Sequence, residues 1–133
     1  MLFIDTGAFL AHYVQADQFH TKAQRVWRRL EKEGGSCCTS NHVLDETFTL
    51  LGRRTTYQFA AERARVLLSS HVLKIFRSDA GDELQAVSIF EKCAGQQVSF
   101  TDSISFVLMR RYGIERVFTY DRHFSLAGFK IVS

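Results

Sequence analysis

Five short apolar runs, each too brief to be a helix, recur along the chain with helical stretches between them. They are Leu2-Phe3-Ile4, Ser36 to Cys38, Val72 to Phe76, Arg116 to Tyr120 and Phe129 to Val132. A strand that is apolar on both faces is covered on both faces, and strands alternating with helices form βα units. The expectation is therefore an α/β fold with a central, mainly parallel sheet flanked by helices. The intervening helices are read from apolar stripes at a period near 3.6 residues. The first runs from Ala8 to Val14. The second is capped by Asp17, carries Phe19, Ala23, Val26, Trp27 and Leu30 on one stripe, and ends at Gly34-Gly35. A third is capped by Ser40 or Asn41 and reaches Leu51-Gly52, and a fourth covers Thr56 to Ser69 with Ala60, Ala64, Leu67 and Leu68 on one face. Asp79 to Ala94 is helical with Leu84, Val87 and Phe90 inward, and Val98 to Phe100 is a brief extended piece. Asp102 to Tyr112 is a nearly all-apolar, hence buried, helix stopped by Gly113, and Arg122 to Ala127 is a helical turn.

With 133 residues, one domain spanning 1–133 is expected, large enough to bury a core without staples. Proline is absent, which argues for regular elements joined by short turns, and twelve Phe suggest a core filled by large rings. The cysteines Cys37, Cys38 and Cys93 are odd in number and no secretory leader precedes them, so reduced thiols in a cytoplasm are expected. No C-x-x-C pair occurs and no His stands at zinc spacing from another ligand, which argues against a zinc site. No stretch approaches the length of a membrane span. The net charge of +3 is mild.

In an open parallel sheet the functional crevice lies outside the carboxyl ends of the strands, where the strand order reverses. Asp5 terminates the first strand and Asp121 directly follows the Val117 to Tyr120 run, so both project into one crevice if those strands are neighbours. Glu46 lies three residues after Val43 and four before Leu50, on an inward helix face, whereas Asp45 groups with the more polar His42 and Thr49. Asp102 opens the buried helix. Each acid also has an ordinary reading: Asp5 and Asp121 as helix caps, Asp102 as partner of Ser99 in a capping box, Glu46 as a solvated boundary residue. Together, several carboxylates in one cleft repel one another and must take up protons unless a cation is present. Oxygen ligands without His or Cys suit Mg²⁺ or Mn²⁺, and such sites serve metal-assisted phosphodiester hydrolysis.

Four stretches carry a resemblance that covers essentially the whole chain: Phe3-Ile4-Asp5-Thr6, Thr39 to Thr47, Ser99 to Ser103, and Phe118 to Phe124. In order and spacing they resemble the acidic motifs of PIN-domain ribonucleases, most closely the bacterial VapC-type toxins. The resemblance implies a PIN-like three-layer sandwich, a Mg²⁺ or Mn²⁺ site and endonucleolytic cleavage of RNA. It matches Asp5, Glu46, Asp102 and Asp121 to the four acids, and Thr6 and Thr101 to hydroxyl residues that orient water at the metal. It further implies a homodimer inhibited by a small antitoxin protein set across the active-site groove. Asp17-x-x-His20-x-x-Ala23 is similar to a recurrent feature of the family's second helix and is read as structural.

Other classes fit less well. A phosphatase of the haloacid dehalogenase type needs a second Asp two positions after the first, where this chain has Gly7; a receiver domain needs a late Lys after a strand, and Lys130 lies inside one. A non-catalytic RNA- or partner-binding module of the same shape, and a nuclease acting on DNA, remain as alternatives. Arg122 is the leading candidate for a phosphate contact, with Arg53, Arg54, Arg110 and Arg111 behind it. Trp27 is read as core or dimer-face packing. His12, His20, His42 and His71 are read as structural, and His123, two residues after Asp121, as making a local hydrogen bond.

Overall fold

The computed structural model describes all residues, Met1–Ser133. Its centre is β1 (Leu2–Ile4), whose three side chains are covered on both faces. On one side β1 pairs with β2 (Cys37–Ser40), which pairs with β3 (Leu73–Phe76); on the other it pairs with β4 (Arg116–Phe118), then β5 (Lys130–Val132). All pairings are parallel, in the order β3-β2-β1-β4-β5. β1 and β4 are neighbours, in register Leu2 to Arg116, Phe3 to Val117 and Ile4 to Phe118. The strand order reverses at β1, which puts the crevice at the carboxyl ends of β1 and β4.

The helices are α1 (Thr6–Tyr13), α2 (His20–Glu33), α3 (Asn41–Arg54), α4 (Tyr57–Leu68), α5 (Ala80–Lys92), α6 (Phe100–Arg111) and α7 (His123–Leu126). The connections through α1–α2 and through α3–α4 step the same way along the sheet. The connection through α5–α6 steps back. With right-handed crossovers, these two groups cover opposite faces. None of the helices is long and apolar enough to cross a membrane. The buried core is rich in rings, with Phe3, Phe9, Phe106, Phe118 and Phe124 all fully enclosed. Trp27 packs among Phe9, Phe118 and His12, a core role. The three cysteines are unpaired.

Several expected details are corrected. Leu84, Val87 and Phe90 do not face inward: they are 71%, 49% and 46% exposed. The inner face of α5 is instead formed by Asp82, Ala86 and Ile89, because small Ala86 lets α5 approach α6 while Arg111 of α6 pairs with Asp82 at 2.7 Å. Val98 to Phe100 is not extended as a unit. Ser99 caps α6 and Phe100 is its first residue, so Asp102 stands in the first turn rather than opening the helix. Asp17 does not cap α2; its carboxylate accepts from the N–H of Phe19, and the helix begins at His20. Of the proposed α4 stripe, Leu68 is more than half exposed. The strand at Arg116 stops at Phe118, short of the expected Tyr120, although the Thr119 N–H still donates to the Val132 carbonyl at 3.4 Å.

Phe106 of α6 meets Phe124 edge-on at 5.0 Å and Phe129 at 5.6 Å, joining α6 to the chain after β4. Phe106→Ala should therefore lower the unfolding free energy by about 3–5 kcal/mol in urea titrations, with an unchanged m-value.

Candidate active site

The site is assembled from the first residues beyond the sheet. Asp5 follows β1 directly, and its N–H donates to the Phe118 carbonyl at 3.0 Å, continuing the β1–β4 ladder by one bond. Its carbonyl begins α1, but its side chain makes no cap. The carboxylate instead accepts a hydrogen bond from Thr119 Oγ1 at 2.8 Å. The same hydroxyl oxygen accepts from the N–H of Asp121 at 3.0 Å. One buried hydroxyl thus ties the ends of β1 and β4 together. Sequence reasoning assigned Thr119 no role. Its signal was the period-two alternation of an extended segment, which places Thr119 on the same side as Asp121.

Asp102 reaches the same place from α6. The Ser99 hydroxyl accepts from the Asp102 N–H at 3.0 Å, with no reciprocal bond from the Asp102 carboxylate, which is left free for the cleft. Oxygens of Asp102 and Asp121 and a ring nitrogen of His123 all lie within 4.8 Å of one another. Asp5 and Glu46 line the same open cleft of about 390 Å³ but stand outside that tight group. Glu46 is half-buried on α3 and Asp45 is exposed, as the helical face suggested. Thr6 lines the cleft with its hydroxyl buried and without a hydrogen bond, whereas Thr101 does not line it.

Of the arginines, only Arg54 lines the cleft, with its guanidinium 3.6 Å from the carboxylate of Asp17. Arg53 and Arg122 are exposed outside the lining. Arg110 donates to the Ala127 carbonyl and lies over Phe129, and Arg111 pairs with Asp79 and Asp82. His12, His20 and His42 are engaged with Gln24, the Ala11 carbonyl and Ser78 respectively.

Residues 2–130 match the PIN domain family. The chain belongs to that family. It is 36% identical over 129 residues to the 23S rRNA-specific endonuclease VapC20 of Mycobacterium tuberculosis, covering 97% of this chain and 95% of the relative. It is 32% identical over 126 residues to a VapC ribonuclease of Archaeoglobus fulgidus, covering 92% of this chain and 78% of the relative. A crystal structure of Mycobacterium tuberculosis VapC20, described as a sarcin-ricin loop cleaving toxin, superposes with a TM-score of 0.88 at 35% identity over 97% of this chain and 96% of that one.

The cleft of this PIN domain holds its acids under electrostatic tension. Burial raises the Asp5 carboxyl to about 6 despite the Thr119 and backbone hydrogen bonds that oppose the shift, and the charges of Asp121 and Glu46 add to it. Asp102 is raised well above the usual carboxylate range, first by burial and then by the charges of Asp5 and Asp121 and a hydrogen bond to Asp121. The burial and negative charge that raise Asp102 are what a bound cation would offset. The hard carboxylate oxygens, and the unspent Thr6 hydroxyl beside them, fit a divalent ion.

Against the opposite contribution of His12, which burial lowers, protons held by folded Asp5 and Asp102 but not by the unfolded chain contribute stability that is greatest at acid pH. It falls as pH rises from about 4 through 6 and beyond, by up to about 3 kcal/mol for Asp5. In chelator, the melting temperature should drop between pH 5 and 8. Asp5→Asn, which keeps an acceptor for Thr119, should flatten that slope and melt higher than the parent at pH 8. A parent profile that rises over this range would contradict the account of the cleft.

Proposed function

We propose that this PIN domain is a metal-dependent endoribonuclease that hydrolyses RNA phosphodiester bonds, acting as the toxin of a toxin–antitoxin pair. The observation that carries the reading is the convergence on one cleft of four carboxylates, one just after β1, one on α3, one on α6 and one beyond β4, in a chain whose relatives over nearly its full length are VapC ribonucleases. Asp5, Glu46, Asp102 and Asp121 are the residues that would hold Mg²⁺ or Mn²⁺. When bound, the ion supplies Lewis acidity toward water and a phosphate oxygen.

The chain's own groups do the rest. Thr119 keeps Asp5 oriented through its hydroxyl and fixes the backbone of Asp121, so the two carboxylates keep a constant spacing. Thr6, rather than Thr101, is the residue taken to orient a water, because it lines the cleft and its hydroxyl has no hydrogen-bond partner. Asp102 and Asp121 would hold the ion as ionised acceptors, and its charge would offset the burial and repulsion that raise Asp102. Arg54 is the cation at the cleft for an RNA phosphate, with Asp17 limiting its freedom; Arg53 and Arg122 serve as outlying contacts for the strand beyond it. A ribosomal RNA is the first substrate to test, given the 23S rRNA-specific relative. The proposed antitoxin lies across this groove. The proposed homodimer would cover the exposed Leu84, Val87 and Phe90 of α5. With three free thiols, the protein is taken to work in a cytoplasm.

Purified protein should cut ribosomal RNA endonucleolytically with Mg²⁺ or Mn²⁺ and lose that activity in chelator. Asp5→Asn should reduce the single-turnover rate by at least about 100-fold, since it removes a charged ligand without removing the scaffold. Cleavage that survives chelation, or equal cleavage of single-stranded DNA of the same sequence, sinks the assignment. Arg54→Glu should weaken RNA binding and lower the salt slope of log K by about one, with little change in melting temperature.

A further inference from the structure

His123 is more than a neighbour of the acids. Its backbone N–H already donates to Asp121 Oδ1 at 2.9 Å. Its ring Nδ1 stands 2.9 Å from that same oxygen and 3.8 Å from Asp102 Oδ2, enclosed and without a hydrogen bond of its own. A simple imidazole–carboxylate pair would aim an N–H at the oxygen. The spacing instead resembles that of two atoms sharing a cation: ligands about 2.1 Å from an octahedral ion are about 3 Å apart when adjacent and about 4.2 Å when opposite. The 2.9 Å from Nδ1 to Asp121 matches the adjacent value, and the donor atoms of Asp102, Asp121 and His123 all lie within 4.8 Å of one another. A second, independent sign is Thr6, 5% exposed, a residue that also lines this cleft and whose buried hydroxyl has no partner.

We propose that His123 lends Nδ1 to the cation held by Asp102 and Asp121, making a mixed nitrogen–oxygen site that favours a first-row transition ion such as Mn²⁺ over Mg²⁺. The inference rests on the metal-site reading above and deepens it by choosing between the two ions. Nitrogen accounts for the preference, since Mg²⁺ is bound through oxygen and water while imidazole suits transition ions. The proton then resides on Nε2, leaving the Nδ1 lone pair for the metal.

Pulsed EPR of the full chain loaded with one equivalent of Mn²⁺ decides the matter. Directly bound imidazole nitrogen coupling is expected in the parent and should vanish in His123→Asn. Competition titrations should show the preference for Mn²⁺ over Mg²⁺ falling roughly ten-fold in that variant. Mn²⁺ bound by the parent without nitrogen coupling overturns the role of His123 and leaves the four-acid site standing. Failure of the parent to bind Mn²⁺ at all overturns both. The parent spectrum is decisive by itself should His123→Asn melt early.

Discussion

Parallel pairing of Leu2, Phe3 and Ile4 with Arg116, Val117 and Phe118 carries the ends of two sequence-distant strands to one edge of the sheet. The next residues beyond that pairing are Asp5 and Thr119, joined by a hydrogen bond at 2.8 Å across 114 positions of sequence. Asp121, held by the same Thr119 oxygen, follows. Everything chemical in the cleft inherits its position from this junction: α1 departs from Asp5, α7 departs just after Asp121, and α6 presents Asp102 between them.

The junction also explains why the cleft is costly without a cation. Helices on both faces bury Asp5 and Asp102, so each carboxylate loses hydration and faces the others across a short gap. Thr119 offsets part of that cost for Asp5. A fully ionised set calls for external positive charge. A cleft of this kind stores binding energy for a divalent ion in the same sense that it destabilises the metal-free fold.

Rigidity around the cleft comes from rings. Phe106, Phe124 and Phe129 brace α6 and the chain after β4. At the rim Phe19 and Tyr120 stack at 4.3 Å, nearly parallel, clamping the segment after α1 to the segment after β4. That clamp keeps Asp17 where it meets Arg54. A side chain read as a helix cap is thereby a partner of the one arginine at the cleft. Arg110 and Arg111 sit at the far end of α6 and are engaged there with Ala127, Asp79 and Asp82.

Local pattern carried much of this molecule. Apolar runs ending in Asp5 and shortly before Asp121, the apolar length of α6, the Ser40 cap of α3 and the helical face that separates Glu46 from Asp45 are all legible in the sequence, because strand and helix periodicity are properties of neighbouring residues. The strand order, and hence the adjacency of β1 and β4, is a matter of long-range closure that no local window contains. The same holds for Thr119 as the bridge between two acids and for the unspent ring nitrogen of His123. It also holds for the outward turn of Leu84, Val87 and Phe90, where an apolar stripe shows that a helix has a sticky face but not which neighbour claims it. By itself the sequence determined which groups were available and on which side of their own element they stand. Only the tertiary structure decided which of them meet, because that depends on partners far apart in the chain.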